Sequence, residues 1–340
     1  MLVRLAVIGL GNVGKRFLEL VQRKHDLIQN RYNLDLVVTA AGDTSGGAEY
    51  FQALDINKIL ELKNGGQGMA AYPMHGRGET NMVELVRGCQ ADVLVENTLT
   101  NIKDGEPGLA IMRTAIQRKM HVVTANKGPL VVAYPELFAL AQEHGVKILH
   151  SATVAGGLPV VNIGRRDLGA CDITRFEGVV NSTTNHILAA MANGESFESA
   201  LKQMQAEGIA ETDSTLDVDG WDAANKLVIV ANACLHRPTR LGDVRVEGIR
   251  GVTPEHIAEA KANGQVIKLV ARAVRELGTW KFTVRPESLD ASHQLVQVTD
   301  GYMGVLYETD INGTIFARIH EENPYPTAAA VLRDVINCFQ

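Results

Sequence analysis

The sequence predicts an α/β chain in two parts, a parallel sheet covered by helices on both faces followed by a region built on a mixed sheet. Three observations carry this reading. Short β-rich runs alternate with amphipathic helical patterns through the first 150 residues, the rhythm of strand-helix-strand units. From Val266 to about Ile319 alternating apolar and polar runs take over, as in an antiparallel or mixed sheet. A chain of 340 residues also exceeds what one small core organises, which implies two lobes.

The expected strands of the first part are residues 4–9, 35–41, 92–96, 121–124 and 147–150. Helical stretches such as "GKRFLELVQRK", "GLAIMRTAIQRK" and "YPELFALAQEHG" separate them. After "HSATVAGGLPVV" residues 174–181 read as a strand, and helical patterns continue to about Leu235. The runs "VIKLVARAV", "WKFTVRP", "QLVQVT" and "TIFARIH" read as further strands. The closing "PTAAAVLRDVINCF" has Pro and Thr at a helix start followed by helical apolar spacing.

Composition narrows the function. With 46% hydrophobic and 21% charged residues the chain is that of a soluble globular protein. A formal charge of −6 without any Lys/Arg-rich run argues against a nucleic-acid partner, which needs a concentrated basic surface. Cys89, Cys171, Cys234 and Cys338 are widely spaced and read as free thiols in a reducing compartment. The apolar start is soon broken by glycines, and no run reaches the roughly 18 residues of a membrane span. The expectation is a cytoplasmic protein with no membrane partner.

"VIGLGNVGKRFLEL" places Gly9, Gly11 and Gly14 as G-x-G-x-x-G between an expected strand and helix. The first glycine allows the tight turn, the second close approach of a pyrophosphate, and the third close packing of helix on sheet. With Asn12 and Val13 inside the turn, the first 150 residues are expected to form a Rossmann-type nucleotide-binding domain. The second strand ends at Asp43, where an acid binds ribose hydroxyls, although a simple turn-forming Asp explains it too. No Arg follows directly to pair a 2′-phosphate, which tilts the cofactor slightly towards NAD over NADP, with Lys58 or another distant base as the alternative. Thr98, Thr100 and Asn101 in "ENTLTN" follow the 92–96 strand, as cofactor contacts or as loop-capping hydroxyls. Lys127 follows the next strand, at the cleft edge or simply on the surface.

"AEGIAETDSTLDVDGWDAANKL" concentrates Glu211, Asp213, Asp217, Asp219 and Asp222 ahead of Lys226. Asp219 suits a helix N-cap, and the ligand spacing of a calcium loop is absent. Asp222 and Lys226, four apart, fit a routine helix salt bridge worth about 0.3–0.5 kcal/mol when exposed. On composition alone that salt bridge is the favoured reading.

Taken in order, "ENTLTN", "HVVTANKGPL", "ATVAGGLPVV", "GVVNSTTNHIL" and "DVDGWDAANKL" resemble the homoserine dehydrogenase family. The resemblance covers residues 1 to about 235, with a looser fit beyond. It implies a Rossmann domain at 1–150 rejoined by a C-terminal helix at 325–340, an α/β catalytic and dimerisation region with a mixed sheet at 151–324, and no appended regulatory domain. It also implies a homodimer, and NAD(P)-dependent interconversion of L-aspartate 4-semialdehyde and L-homoserine on the way to threonine and methionine. By the same resemblance Lys226 is the proton donor, Lys127 a second active-site lysine, and Asp222 the acid orienting substrate and lysine. Glu211 binds the substrate amino group, and Asp217 lies in the same pocket. Backbone oxygens of Val154, Gly156 and Leu158 are candidates for a monovalent cation such as Na+.

Three features depart from the family pattern: Ser151 replaces an acid, Ser182 a glycine, and "HEENPYP" a glycine-rich loop, which puts Glu321 and Glu322 towards the cofactor. They motivate two other readings, a dehydrogenase of another small amino or hydroxy acid and a nucleotide-binding regulatory module without turnover.

Overall fold

The structure, a computed structural model, describes residues 1–206 and 214–340. The chain divides into two compact units, Met1–Gly157 with Asn323–Gln340, and Leu158–Glu322.

The first unit is built on a seven-stranded sheet: β1 (Leu2–Ile8), β2 (Asp35–Asp43), β3 (Gly46–Glu49), β4 (Gly76–Gly78), β5 (Val93–Glu96), β6 (His121–Thr124) and β7 (Ile148–Leu149), in the order β4-β3-β2-β1-β5-β6-β7. The run from β2 to β7 is parallel. Leu5 to Ile8 and all of β5 are fully buried, as parallel strands covered on both faces must be. The antiparallel edge strands β3 and β4 carry no β-rich pattern, being "GGAE" and "GRG". Backbone fit makes them pair: Gly46 has φ +147°, and a Cβ there would lie 2.1 Å from the Arg77 carbonyl oxygen.

The Asn12–Arg23 helix buries Phe17, Leu18, Leu20 and Val21. The Tyr325–Asn337 helix returns to the same core through Ala328, Val331, Leu332 and Val335. Tyr325 at its start lies under the Arg16 and Arg23 guanidinium groups, 5.1 and 5.4 Å from the ring centre.

The second unit holds a six-stranded sheet: β8 (Ile173–Val179), β9 (Val244–Val246), β10 (Gln265–Glu276), β11 (Thr279–Asp290), β12 (Tyr302–Thr309) and β13 (Thr314–His320), in the order β13-β12-β8-β10-β11-β9. Its pairs are antiparallel except β11 with β9, so the sheet is mixed. The expected strand at "QLVQVT" is instead a 3₁₀ turn, Gln294–Gln297, capped by the His293 side chain. Leu295 and Val298, three residues apart, both enter an apolar cluster with Val179, Val270 and Leu289. A one-turn spacing had imitated strand alternation. The unexpected β12 is buried over Met303–Tyr307, and a strand covered on both faces shows no alternation.

Among the described residues no helix is long and apolar enough to cross a membrane. All four cysteines are free.

Candidate active site

In the first unit the glycine turn joins β1 to the Asn12–Arg23 helix. Gly9 has φ +93°, and a Cβ there would lie 2.3 Å from the Asn97 backbone. Gly14 is just as confined, its would-be Cβ 2.1 Å from the Gly9 carbonyl oxygen. Gly11 differs: nothing lies within 4 Å of its would-be Cβ, and it caps the helix without a side-chain hydrogen bond. Gly11 and Asn12 are exposed and Val13 is half-buried. The turn therefore offers unshielded backbone N–H groups at a helix N-terminus, with space beside them, which fits a dinucleotide pyrophosphate.

Asn97, directly after β5, was not singled out from the sequence. Its Nδ2 and Oδ1 are buried with no hydrogen-bond partner among the described residues, and Nδ2 lies 3.8 Å from the would-be Cβ of Gly14. An orphaned amide beside the nucleotide turn is what a ligand-contacting side chain looks like before its ligand arrives.

Asp43 ends β2 as expected, but its carboxylate is engaged. Ser45 donates through N at 2.9 Å and Oγ at 2.6 Å, and Lys63 Nζ lies 2.5 Å away. Burial raises the carboxyl pKa, but the bonds from Lys63 and Ser45 outweigh it and hold the acid below its ordinary value. Lys58, the alternative base, pairs with Glu61 at 2.8 Å instead. The cation at Asp43 is Lys63, 20 residues along the chain.

At the ends of β5 and β6 the Thr98 hydroxyl is turned to Glu96, whereas Thr100 is exposed. Asn101 Nδ2 bonds Asp104 Oδ1 at 2.7 Å and the Glu106 carbonyl at 3.0 Å, which makes it a loop brace. Asn126 caps the Lys127–His144 helix by accepting from Gly128 N, so Lys127 is its half-buried first residue.

The Asp222–Lys226 cluster belongs to the second unit. Asp222 and Lys226 lie on the Trp221–Ala233 helix, each side chain only 12% exposed, with Nζ 2.7 Å from Asp222 Oδ2. The Val180 carbonyl oxygen is 2.5 Å from the same Nζ. Asn181 ties the acids together: one N–H of Nδ2 reaches Asp217 Oδ1 at 2.6 Å and the other Asp222 Oδ2 at 2.9 Å. Its amide orientation is fixed because Oδ1 caps the Ser182–Ala192 helix, accepting from Thr184 N at 2.8 Å. Nothing in "VVNSTTN" signals that its first Asn serves both acids.

Asp219 does not cap the helix. Gly220, at φ +84°, takes the N-cap position, and Asp219 pairs with Arg250 at 2.5 Å. A Cβ on Gly248 would lie 2.4 Å from the Asp219 Cα, so this corner is packed backbone to backbone. Glu211 and Asp213 lie outside the described residues.

Ser151 donates through N and Oγ, each at 2.7 Å, to the buried Asp334 of the C-terminal helix. Ala155 and Gly156 are both left-handed, φ +53° and +56°, and Val154 is buried. The Leu158 carbonyl accepts from Val160 N at 2.8 Å. Among the described residues no group of three His, Cys, Asp or Glu side chains could hold a metal. Ser182 is the first residue of its helix. Glu321 and Glu322 belong to the second unit, where Glu322 pairs with His320 at 3.5 Å.

Two family models match the chain: the homoserine dehydrogenase NAD-binding domain over residues 9–151, and homoserine dehydrogenase over residues 159–336. A homoserine dehydrogenase of Methanocaldococcus jannaschii is 34% identical, covering 98% of this chain and 97% of its own. An NAD(+)-dependent homoserine dehydrogenase of Pseudomonas canavaninivorans is 31% identical, covering 99% and 96%. The crystal structure of a putative homoserine dehydrogenase from Archaeoglobus fulgidus superposes with TM-score 0.89 at 33% identity, covering 99% of each chain. A hyperthermophilic archaeal homoserine dehydrogenase in complex with NADPH gives 0.86 at 25% identity, covering 99% of this chain and 98% of that one. With the open glycine turn in one unit and the buried Asp222–Lys226 pair in the other, these matches along nearly the whole length mean that the chain belongs to the homoserine dehydrogenase family.

Proposed function

We propose that the protein interconverts L-aspartate 4-semialdehyde and L-homoserine with NAD or NADP, in the route from aspartate to threonine and methionine. The observation that carries this reading is the Lys226 ammonium held between Asp222 and the Val180 carbonyl, with Asp222 and Asp217 bridged by Asn181. Among the described residues these acceptors occupy two of the three N–H bonds of the ammonium, and the third is the one for the substrate carbonyl oxygen.

When bound, the reduced nicotinamide supplies the hydride. Lys226 stabilises the oxygen as charge builds on it and delivers a proton, and the reverse reaction returns that proton to the amine. Asp222 keeps the lysine aimed, while Asp217, and Glu211 outside the described residues, hold the substrate ammonium. Lys127 serves as a second active-site cation. Gly9, Gly11, Asn12, Val13 and Gly14 cradle the pyrophosphate, with Asp43, Asn97, Thr98 and Thr100 as further nucleotide contacts.

A monovalent cation on the backbone oxygens of Val154, Gly156 and Leu158 belongs to the same reading, tested by comparing activity in Na+ and K+. So do a cytoplasmic location and a homodimer. Light scattering at the expected mass of one chain would count against the dimer.

The deciding assay follows nicotinamide absorbance with L-homoserine and each nucleotide. Reduction with at least one is expected. No reduction with either, from folded protein that binds nucleotide, overturns the assignment.

A further inference from the structure

Glu96, the last residue of β5, is fully buried and accepts four hydrogen bonds. They come from Thr98 N at 2.9 Å, the Thr98 hydroxyl, Thr124 Oγ1 at 2.8 Å and Asn126 Nδ2 at 3.4 Å. Proton accounting gives the charge state that this network suits. Thr124 Oγ1 already receives the Asn126 backbone N–H at 2.9 Å, and Thr98 Oγ1 receives Asn126 Nδ2 at 3.1 Å. With its oxygen accepting from Asn126, each hydroxyl has its own proton to give to Glu96. A carboxylate offers about four acceptor sites and no donor, so the anion satisfies every bond in the set.

All four donors are neutral. Burial pushes the Glu96 carboxyl above its ordinary pKa, and the bonds from Thr98, Thr124 and Asn126 pull the other way. The charge is thus held by dipoles at a desolvation cost that a cation would offset. Its position says which cation. In a sheet of this order, β2-β1-β5-β6, a dinucleotide held by the glycine turn after β1 would lay its adenosine side at β2 and its nicotinamide half at the ends of β5 and β6. Glu96 closes β5, and its partners Thr124 and Asn126 end β6 and cap the helix that begins with Lys127.

We infer that Glu96 is a specificity-determining residue for the redox state of the nucleotide: its buried negative charge favours the oxidised nicotinamide, a pyridinium cation, over the neutral reduced ring. The inference rests on nucleotide binding by the first unit but adds a discrimination that the glycine turn cannot make, because pyrophosphate and ribose are the same in both redox states. Glu96 acts through charge without being a catalytic residue.

The test measures dissociation constants of NAD+ and NADH by calorimetry, without turnover, for the whole protein and for Glu96→Gln. The near-isosteric amide removes the charge while leaving a side chain that bonds the same loops. The expected result is a loss of NAD+ affinity about tenfold larger than any loss for NADH. Equal changes in both affinities overturn the inference and reduce Glu96 to a brace between loops. If the unaltered protein binds neither nucleotide, the binding reading itself fails, and this inference with it. If Glu96→Gln does not fold, the ratio in the unaltered protein decides: tighter binding of NAD+ supports the charge effect, and tighter binding of NADH overturns it.

Discussion

Asp222 and Lys226 meet at 2.7 Å with both side chains nearly enclosed, and the same Asp222 oxygen takes an N–H from Asn181 at 2.9 Å. A surface pair of this spacing is worth a few tenths of a kcal/mol and holds nothing in place. Here burial and the third partner fix the lysine in one direction. Lys226→Ala is expected to lower kcat by roughly 10²–10⁴-fold in both directions of the reaction, with nucleotide affinity within about twofold of the unaltered protein. Steady-state kinetics beside nucleotide titration checks it, and near-normal turnover would remove Lys226 as proton donor.

The two helix-start glycines separate binding from folding. Gly14→Ala drives a methyl group to 2.1 Å from the Gly9 carbonyl oxygen, so it should lower the melting temperature or prevent folding. Gly11 has φ −76° and open space, so Gly11→Ala should fold normally. The added methyl then stands where the pyrophosphate approaches, and nucleotide affinity should fall by at least tenfold. Unchanged affinity in folded Gly11→Ala would move the pyrophosphate away from this turn.

Lys63 neutralises Asp43, the acid that ends β2 and that we propose meets the ribose. With the pair intact, a 2′-phosphate meets an ammonium as well as a carboxylate. Lys63→Met should leave Asp43 to repel that phosphate and raise the preference for NAD over NADP by about tenfold in kcat/KM. An unchanged ratio would mean that this pair lies away from the ribose.

Lys268 in the second unit supplies a pH signature. It is 4% exposed and donates to Asn185 Oδ1 at 2.7 Å and the Val298 carbonyl at 2.8 Å. Burial lowers its pKa to about 8 against a partial opposing effect of Asp300. Below about 8 the lysine is protonated in both folded and unfolded chains, so its contribution is constant. Between there and the ordinary 10.5 the unfolded chain binds the extra proton, and stability from this group rises with pH. The stability of the unaltered protein minus that of Lys268→Met should therefore grow from pH 8 to 10, by at most roughly 1.4 kcal/mol per pH unit. Urea melts at several pH values measure it, and a difference flat with pH would contradict the buried ammonium.

The first 150 residues were legible because their information is local. A strand followed by G-x-G-x-x-G fixes a turn whatever lies elsewhere, and parallel strands buried on both faces stand out as continuous apolar runs. The apolar run likewise sufficed to place Lys226 on a helix, and Lys127 just past its strand. What local pattern left open was partnership. Asp219 looked like a cap, but the corner packed against Gly248 gave that place to Gly220 and paired Asp219 with Arg250. Asp43 read as a ribose acid or a turn-forming Asp, and it takes the Ser45 N–H two residues on while Lys63 closes on it from 20 residues away. Ser151 read as a lost acid, while Asp334, 183 residues later, brings a carboxylate back to it. By itself the sequence determined the nucleotide turn, the two-part α/β architecture and the residue types of the chemistry. Only the tertiary structure decided which carboxylate meets which donor, because such pairings depend on burial and on segments distant in sequence, and neither leaves a period in the chain.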